Sequence, residues 1–347
     1  MRATNAAVTV SVRPSDPERS ASRFAADVAF YLNQTPRQLP SRYLYDPLGS
    51  SLFEAIRHLP WYQISRAETA LLAHHGAEVF RDADSLARIV ELGSGSGEKL
   101  AVLLDARPST RVPLQVHLVD VSREALETAA FAVGVAPSVT VIAHQAPYVD
   151  GLEAAVRDVA SNGSRAAAPG AKRRTARTGR TLVLFLGSNI GNFDPPAADA
   201  LLGRIAQLLH PGDAFLLGAD LVKPERDLLL AYDDPLGVTA AFNLNLLVHI
   251  NRELGADFDI TSFKHRAIWN AAASRVEMHL VSLRPQRVRV PASRIEVTFR
   301  PGEIIWTESS YKYRPAEVLN LLQRCGFRRR AQWIDHDARF ALTLVHL

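Results

Sequence analysis

The sequence predicts an α/β protein organised around a doubly wound parallel sheet. Two observations carry this expectation. Short buried strands and amphipathic helices alternate through the first two thirds of the chain, the pattern of successive βαβ units. The first of these strands also runs straight into a glycine-rich turn and a helix. The 347 residues are 47% hydrophobic and 22% charged, enough apolar material for a sizeable core and, at about 150 residues per domain, for two domains.

The elements follow in order. Residues 68–82 have the apolar spacing of a helix, and residues 86–91 (LARIVE) read as a buried strand that enters Gly93-Ser94-Gly95-Ser96-Gly97. Residues 98–105 form a helix and 116–121 (VHLVDV) a second strand. A second helix spans 122–133 with Ser122 as its cap, followed by a third strand over 139–143. The fourth strand, 181–186 (TLVLFL), ends in Gly187-Ser188-Asn189-Ile190-Gly191-Asn192. A helix over 197–209 and a turn at Pro211-Gly212-Asp213 lead into the strand 214–217. In such sheets ligands bind beyond the carboxyl ends of the strands, so the loops after each strand are the places to look.

Composition excludes collagen-like, disulfide-scaffold and wholly disordered chains. No apolar run approaches the ~18 residues of a membrane span, and residues 1–20 lack the apolar stretch of a signal peptide. The single cysteine, Cys325, can form neither an intrachain disulfide nor a zinc cluster and is expected as a buried small residue, which makes a reducing cytoplasm the expected compartment. No metal site is expected; His74-His75 lack a third ligand nearby and fit packing. Adjacent Asp233-Asp234 fit a structural role better than a paired acid and base, because neighbouring side chains point apart. The net charge of +4 is concentrated in Arg165, Lys172, Arg173, Arg174, Arg177 and Arg180. Residues 160–180 are therefore expected as a basic, disordered insertion. An arm for nucleic acid is the competing reading, and the lack of interleaved aromatics weighs against it.

The glycine turn carries the first chemical signal. Glycines let the backbone turn sharply and approach a ligand, and Asp120, ending the next strand, can accept hydrogen bonds from both hydroxyls of a ribose. Together they describe a nucleoside held over the sheet. Glu98 separates Gly97 from Lys99, so the turn is not a P-loop, and it also departs from Gly-x-Gly-x-x-Gly. An acid two residues before Gly-x-Gly-x-Gly, here Glu91, fits the S-adenosylmethionine loop of Rossmann-like methyltransferases better.

From about Leu39 onward the chain resembles the histidine-specific, S-adenosylmethionine-dependent methyltransferases of the ergothioneine pathway. The resemblance rests on residues 43–50 (YLYDPLGS) with Phe53, on Leu59-Pro60-Trp61-Tyr62, and on Arg66-Ala67-Glu68. It continues through residues 91–99 and 185–192, 231–243 (AYDDPLGVTAAFN), 251–259 (NRELGADFD) and Ile268-Trp269-Asn270. Val276-Glu277-Met278 and Thr307-Glu308-Ser309-Ser310 complete it. That family methylates the α-amine of histidine three times, giving the betaine hercynine. The resemblance implies a Rossmann-like class I methyltransferase domain, residues 67–222 and 312–347, and a discontinuous α+β substrate domain, residues 14–66 and 223–311.

The resemblance also implies roles. Gly93 and Lys99 match positions that hold S-adenosylmethionine, with Lys99 drawn to the donor's carboxylate, and Asp120 matches the ribose-binding acid. Tyr62, Asn192 and Tyr232 match positions lining the histidine site, with Tyr45 and Phe53 nearby; Glu308 and Ser310 match the pair that hold the imidazole, and Met278 lies against the ring. Taken singly, Tyr62, Tyr232 and Met278 also fit packing, Glu308 a solvated strand face and Asn192 a turn cap; their joint order favours the site. Tyr232 is expected to donate to the substrate carboxylate. After the third strand the family has an acid followed by an aromatic. Here Gln145-Ala146 stand there, with Gln145 expected to bond the adenine amino group and Tyr148 to supply the aromatic face. Asn189 stands where the family often has threonine near the amine. The expected substrate is L-histidine and the expected state a monomer without a membrane partner. The alternatives are a relative acting on another amino acid or a histidine derivative, and a basic nucleic-acid-binding protein on the same scaffold.

Overall fold

The computed structural model describes residues 9–10, 17–81, 85–108, 112–136, 138–162 and 179–347. The chain opens with β1 (Thr9–Val10), α1 (Pro17–Leu32), β2 (Arg37–Gln38), α2 (Pro47–Arg57) and α3 (Ile64–Val79). An alternating stretch follows: β3 (Leu86–Leu92), α4 (Glu98–Asp105), β4 (Leu114–Asp120), α5 (Arg123–Gly134), β5 (Val139–Gln145), α6 (Tyr148–Asn162), β6 (Arg180–Phe185), α7 (Pro195–Leu208) and β7 (Ala214–Asp220). Next come α8 (Glu225–Tyr232), α9 (Val238–Leu254), β8 (Phe263–Asn270), β9 (Arg275–Ser282), β10 (Gln286–Val290), β11 (Ile295–Phe299) and β12 (Ile304–Tyr311). The chain closes with α10 (Pro315–Arg324), β13 (Arg328–Asp335) and β14 (Phe340–His346).

Local chemistry fixes the helix starts. Ser122 accepts a hydrogen bond from the Ala125 amide at the head of α5, and Asp194 does the same for Ala197 ahead of the Pro195-Pro196 start of α7. Gly97 enters α4 with φ +76°, and a Cβ there would lie 2.7 Å from the Ala129 Cα, so only glycine fits.

The large sheet has strand order β1-β5-β4-β3-β6-β7-β14-β13. Helices α3, α4 and α5 cover one face and α6, α7 and α10 the other, each burying an apolar layer: Ile89, Leu103 and Leu118 on one side, Val90, Phe185 and Leu202 on the other. Strands β1 and β3–β7 pair in parallel, as the alternation predicts. The β13–β14 hairpin adds to β7 antiparallel, so the sheet is mixed rather than wholly parallel. The chain builds β3, β4 and β5 outward in one direction and returns to lay β6 on the other side of β3. The connections reverse there, and a crevice opens at the carboxyl ends of β3 and β6.

A smaller sheet, β2-β12-β9-β8, is covered by α8 and α9 and carries the β10–β11 hairpin. It meets the large sheet where β12 ends: Tyr313 bridges Leu221, just past β7, and the Tyr313 amide donates to the Asp220 carbonyl at 3.1 Å. Two boundaries differ from expectation. Helix α3 spans Ile64–Val79 rather than the expected 68–82, its N-cap being Gln63 at the end of the preceding loop. Of the expected insertion 160–180, residues 160–162 instead continue α6, and Arg180 opens β6 through its amide bond to the Ser85 carbonyl. Residues 163–178, with most of the basic cluster, lie outside the described residues.

Candidate active site

The crevice has two lips. One is the turn after β3, where Gly93 has φ +75° and donates its amide to the Val119 carbonyl at 2.7 Å. A Cβ on Gly93 would lie 2.8 Å from Asn189 Nδ2 and 3.2 Å from the Tyr148 ring. The other lip is the 3-10 turn Asn189–Asn192 after β6. Gly191 lets that turn press on β12: a Cβ there would lie 2.8 Å from the Tyr311 carbonyl oxygen. The two glycines thus bring the first loop, the second loop and the small sheet together.

Beyond the second lip lies a cavity of about 480 Å³, counting the space open to solvent. Tyr45, Phe53, Tyr62, Asn192, Tyr232, Met278, Glu308 and Ser310 all line it, so every residue expected on the substrate side faces one space. Glu308 and Met278 stand opposite each other in the β12–β9 register, next to the irregularity between Trp306 and Glu308. One wall is aromatic: Tyr45, Phe53 and Phe242 have ring centroids 5.4–5.9 Å apart, and Tyr62 packs edge-on to Phe53 at 6.2 Å. Asp46 anchors that wall. It caps α2 through the Gly49 amide at 2.8 Å and holds Asn245 and Arg252 of α9 at 2.6 and 2.8 Å.

Burial sets the electrostatics. It lifts the Glu308 carboxyl from 4.5 to about 7, with Lys312 pulling it back down. Burial first, then neighbouring acids, holds Tyr45, Tyr62 and Tyr232 well above the ordinary phenol range, so all three stay neutral hydrogen-bonding groups. On the glycine side, Asp120 accepts from the Gly95 amide at 3.1 Å and the Ser122 amide at 2.9 Å. Burial raises it all the same. Glu91, at the end of β3, is pushed up to about 8 by burial, and its Oε2 is enclosed without a hydrogen-bond partner. A buried acceptor of this kind calls for a cationic or N–H donor from a ligand.

Several of the expected residues also have partners within the protein. Lys99 Nζ lies 2.5 Å from Glu68 Oε2, and Glu68 also accepts the Gly187 amide at 2.7 Å, so Lys99 ties α4 to α3 and the second loop. The Tyr232 hydroxyl, on the cavity lining, donates to Ser310 Oγ at 2.7 Å and accepts from Lys312 at 2.8 Å. Tyr148 lies against Gly93 and packs edge-on to Phe185. The Gln145 amide donates to the Val121 carbonyl at 3.2 Å, leaving its carbonyl oxygen as the acceptor an amino group would need; the Ala146 amide donates to the Asp120 carbonyl at 3.0 Å. His75 stacks on Trp333 and pairs with Glu78, while Asp234 accepts the Leu236, Val238 and Thr239 amides at the start of α9, both structural roles.

Sequence reasoning did not single out Lys312, Phe242 or Thr239, which support or line the cavity. The signal for Lys312 was present in the alternation Glu308-x-Ser310-x-Lys312, which puts all three on one face of an extended strand.

Comparison with known proteins agrees with this geometry. Residues 24–347 match the family described as "Histidine-specific methyltransferase, SAM-dependent". The "Histidine N-alpha-methyltransferase" of Mycolicibacterium smegmatis is 38% identical over 94% of this chain and 96% of its own length, and that of Mycobacterium tuberculosis 42% over 92% and 93%. The "L-tryptophan methyltransferase trpM" of Psilocybe serbica is 26% identical over 88% and 87%. With a family match spanning nearly the whole chain and a crevice that gathers the motif residues into one cavity, this chain belongs to the histidine-specific, S-adenosylmethionine-dependent methyltransferases.

Proposed function

We propose that the enzyme methylates the α-amine of L-histidine three times, yielding hercynine, with S-adenosylmethionine as donor. The observation that carries this reading is one cavity lined by Glu308, Ser310, Asn189 and Asn192, with Asn189 against Gly93 of the glycine turn. In this reading residues 67–222 and 312–347 hold the donor and residues 14–66 and 223–311 hold the amino acid.

The donor fits the chain's own groups. Gly93 leaves a cradle that a Cβ would fill, Asp120 is an acceptor for ribose hydroxyls, and the partnerless Glu91 Oε2 suits the ammonium of the methionine moiety. Bound there, S-adenosylmethionine supplies an electrophilic methyl group. Asn192 then orients the substrate amine, because its amide both donates and accepts. Glu308 accepts the imidazole N–H and fixes the far end of the substrate. Tyr45, Phe53 and Phe242 offer ring faces to the growing ammonium cation. Holding amine and methyl in line removes much of the barrier by placement, worth ~7–11 kcal/mol in favourable cases.

Glu308 and Ser310 favour histidine over an indole side chain, since buried polar groups lose their partners when a ring offers too few. Mass spectrometry of a histidine, enzyme and donor mixture should show products carrying one, two and three added methyl groups. Absence of all three, with methyl transfer to another amino acid from a panel, would move the enzyme to a different substrate.

A further inference from the structure

Beneath the polar end of the cavity lies Lys312, whose side chain has no exposure to solvent. It sits at the seam of the two sheets, its amide donating to the Ser274 carbonyl at 2.7 Å. Its ammonium donates to the Tyr232 hydroxyl at 2.8 Å and to Ser310 Oγ at 3.0 Å, and pairs with Asp220 Oδ2 at 2.9 Å. An ammonium has three protons and no lone pair, so Lys312 has nothing left to offer a ligand. Lys223 pairs with the other Asp220 oxygen at 2.7 Å, so this one carboxylate is shared by two ammonium groups.

The consequence falls on Ser310. A hydroxyl has one proton and two acceptor sites. Ser310 Oγ accepts from Tyr232 and from Lys312, which fills both sites, and Ser310 lines the cavity. Only its own proton remains for whatever occupies that space. Glu308, two residues back on the same strand face, is an acceptor when ionised. The groups around this end are therefore Glu308, Lys312 and Asp220 and the phenols of Tyr45, Tyr62 and Tyr232.

We propose that Lys312 is a positioning residue that fixes the polarity of the ring-binding end, making Ser310 a donor beside the acceptor Glu308 so that the site selects the neutral imidazole. A neutral imidazole has one N–H and one bare nitrogen, complementary to that pair; an imidazolium has two N–H groups and meets a hydroxyl proton and a nearby ammonium. The inference rests on the histidine reading and deepens it.

The test uses the full chain saturated with S-adenosylhomocysteine. Nitrogen NMR of isotope-labelled histidine bound to the wild-type enzyme, near pH 7 where the free ring (pKa ~6.5) is still about a quarter protonated and Glu308 is about half ionised, should show one protonated and one bare ring nitrogen. Two N–H signals would overturn the proposal without any variant. Calorimetry then compares histidine with 2-thienylalanine, a five-membered ring without nitrogen. Lys312→Met, which leaves Asp220 paired with Lys223, should weaken histidine about tenfold and 2-thienylalanine less than twofold. In a Ser310→Ala background the same change should cost histidine less than twofold. Equal losses for both ligands, or an undiminished loss without Ser310, would reduce Lys312 to a structural residue. Failure of the wild-type enzyme to bind histidine would instead overturn the substrate reading itself.

Discussion

At the scale of single residues, Glu308 shows how a buried carboxyl proposed to bind works against the fold. Its carboxyl titrates near 7 in the folded chain and at 4.5 in the unfolded one, because burial disfavours the anion. A carboxyl raised on folding stabilises the fold through its protonated form. That contribution is complete below about 4.5 and is lost as pH rises through about 7. Glu308→Gln, which keeps the shape and removes the charge, should therefore raise the melting temperature relative to wild type near pH 8. The gain, on the order of 3 kcal/mol, should vanish near pH 4. The same change should weaken histidine by more than tenfold in calorimetry. A melting temperature that responds equally at both pH values would mean that the carboxyl is solvated. The candidate binding residues were legible because their types match a family order. Lys99–Glu68 and Lys312–Asp220 were not, because the partners lie far apart in sequence and only folding pairs them.

At the scale of elements, the close approach of the Asn189–Asn192 turn to β12 makes a sharper prediction. Gly191→Ala would place a Cβ 2.8 Å from the Tyr311 carbonyl oxygen, a backbone atom inside a paired strand that cannot easily give way. The change should cost ~1–3 kcal/mol of stability and displace Asn192. In steady-state kinetics kcat should fall about tenfold or more, with donor affinity changed less than threefold. Gly203→Ala in α7, where no atom stands within 4 Å, is the matched control; it should stabilise by ~0.4–1 kcal/mol and leave kcat alone. Elements with strong periodicity were legible: α4 spans the residues expected, and α5 starts at its Ser122 cap. The β13–β14 hairpin was not read as strands. Arg328-Arg329-Arg330 disguises β13, an edge strand whose charges face solvent, and the antiparallel pairing depends on where the chain returns rather than on local pattern.

At the scale of the molecule, Arg57 joins the two halves of the site. It belongs to α2, which carries Phe53 and Ile56 of the cavity wall, and its guanidinium reaches Ser96 Oγ at 3.1 Å and Glu98 at 2.9 Å, on the glycine turn and the first residue of α4. Glu54 at 2.6 Å and Ser65 at 3.2 Å hold it in place. A ligand that orders the glycine turn therefore acts, through one rigid fork, on the helix that shapes the aromatic wall. Coupling of this kind is reciprocal in binding free energy. Histidine should bind more tightly in the presence of S-adenosylhomocysteine, by roughly five- to tenfold, within the usual span of coupling energies. S-adenosylhomocysteine should gain by the same factor when histidine is bound. Arg57→Ala should reduce that factor to less than twofold while the affinity of each ligand alone changes little, because Arg57 does not line the cavity. Four calorimetric titrations on each protein close the cycle. A factor that survives in Arg57→Ala would route the communication through the Glu68–Lys99 pair instead, another charged contact between α4 and the elements beside the cavity.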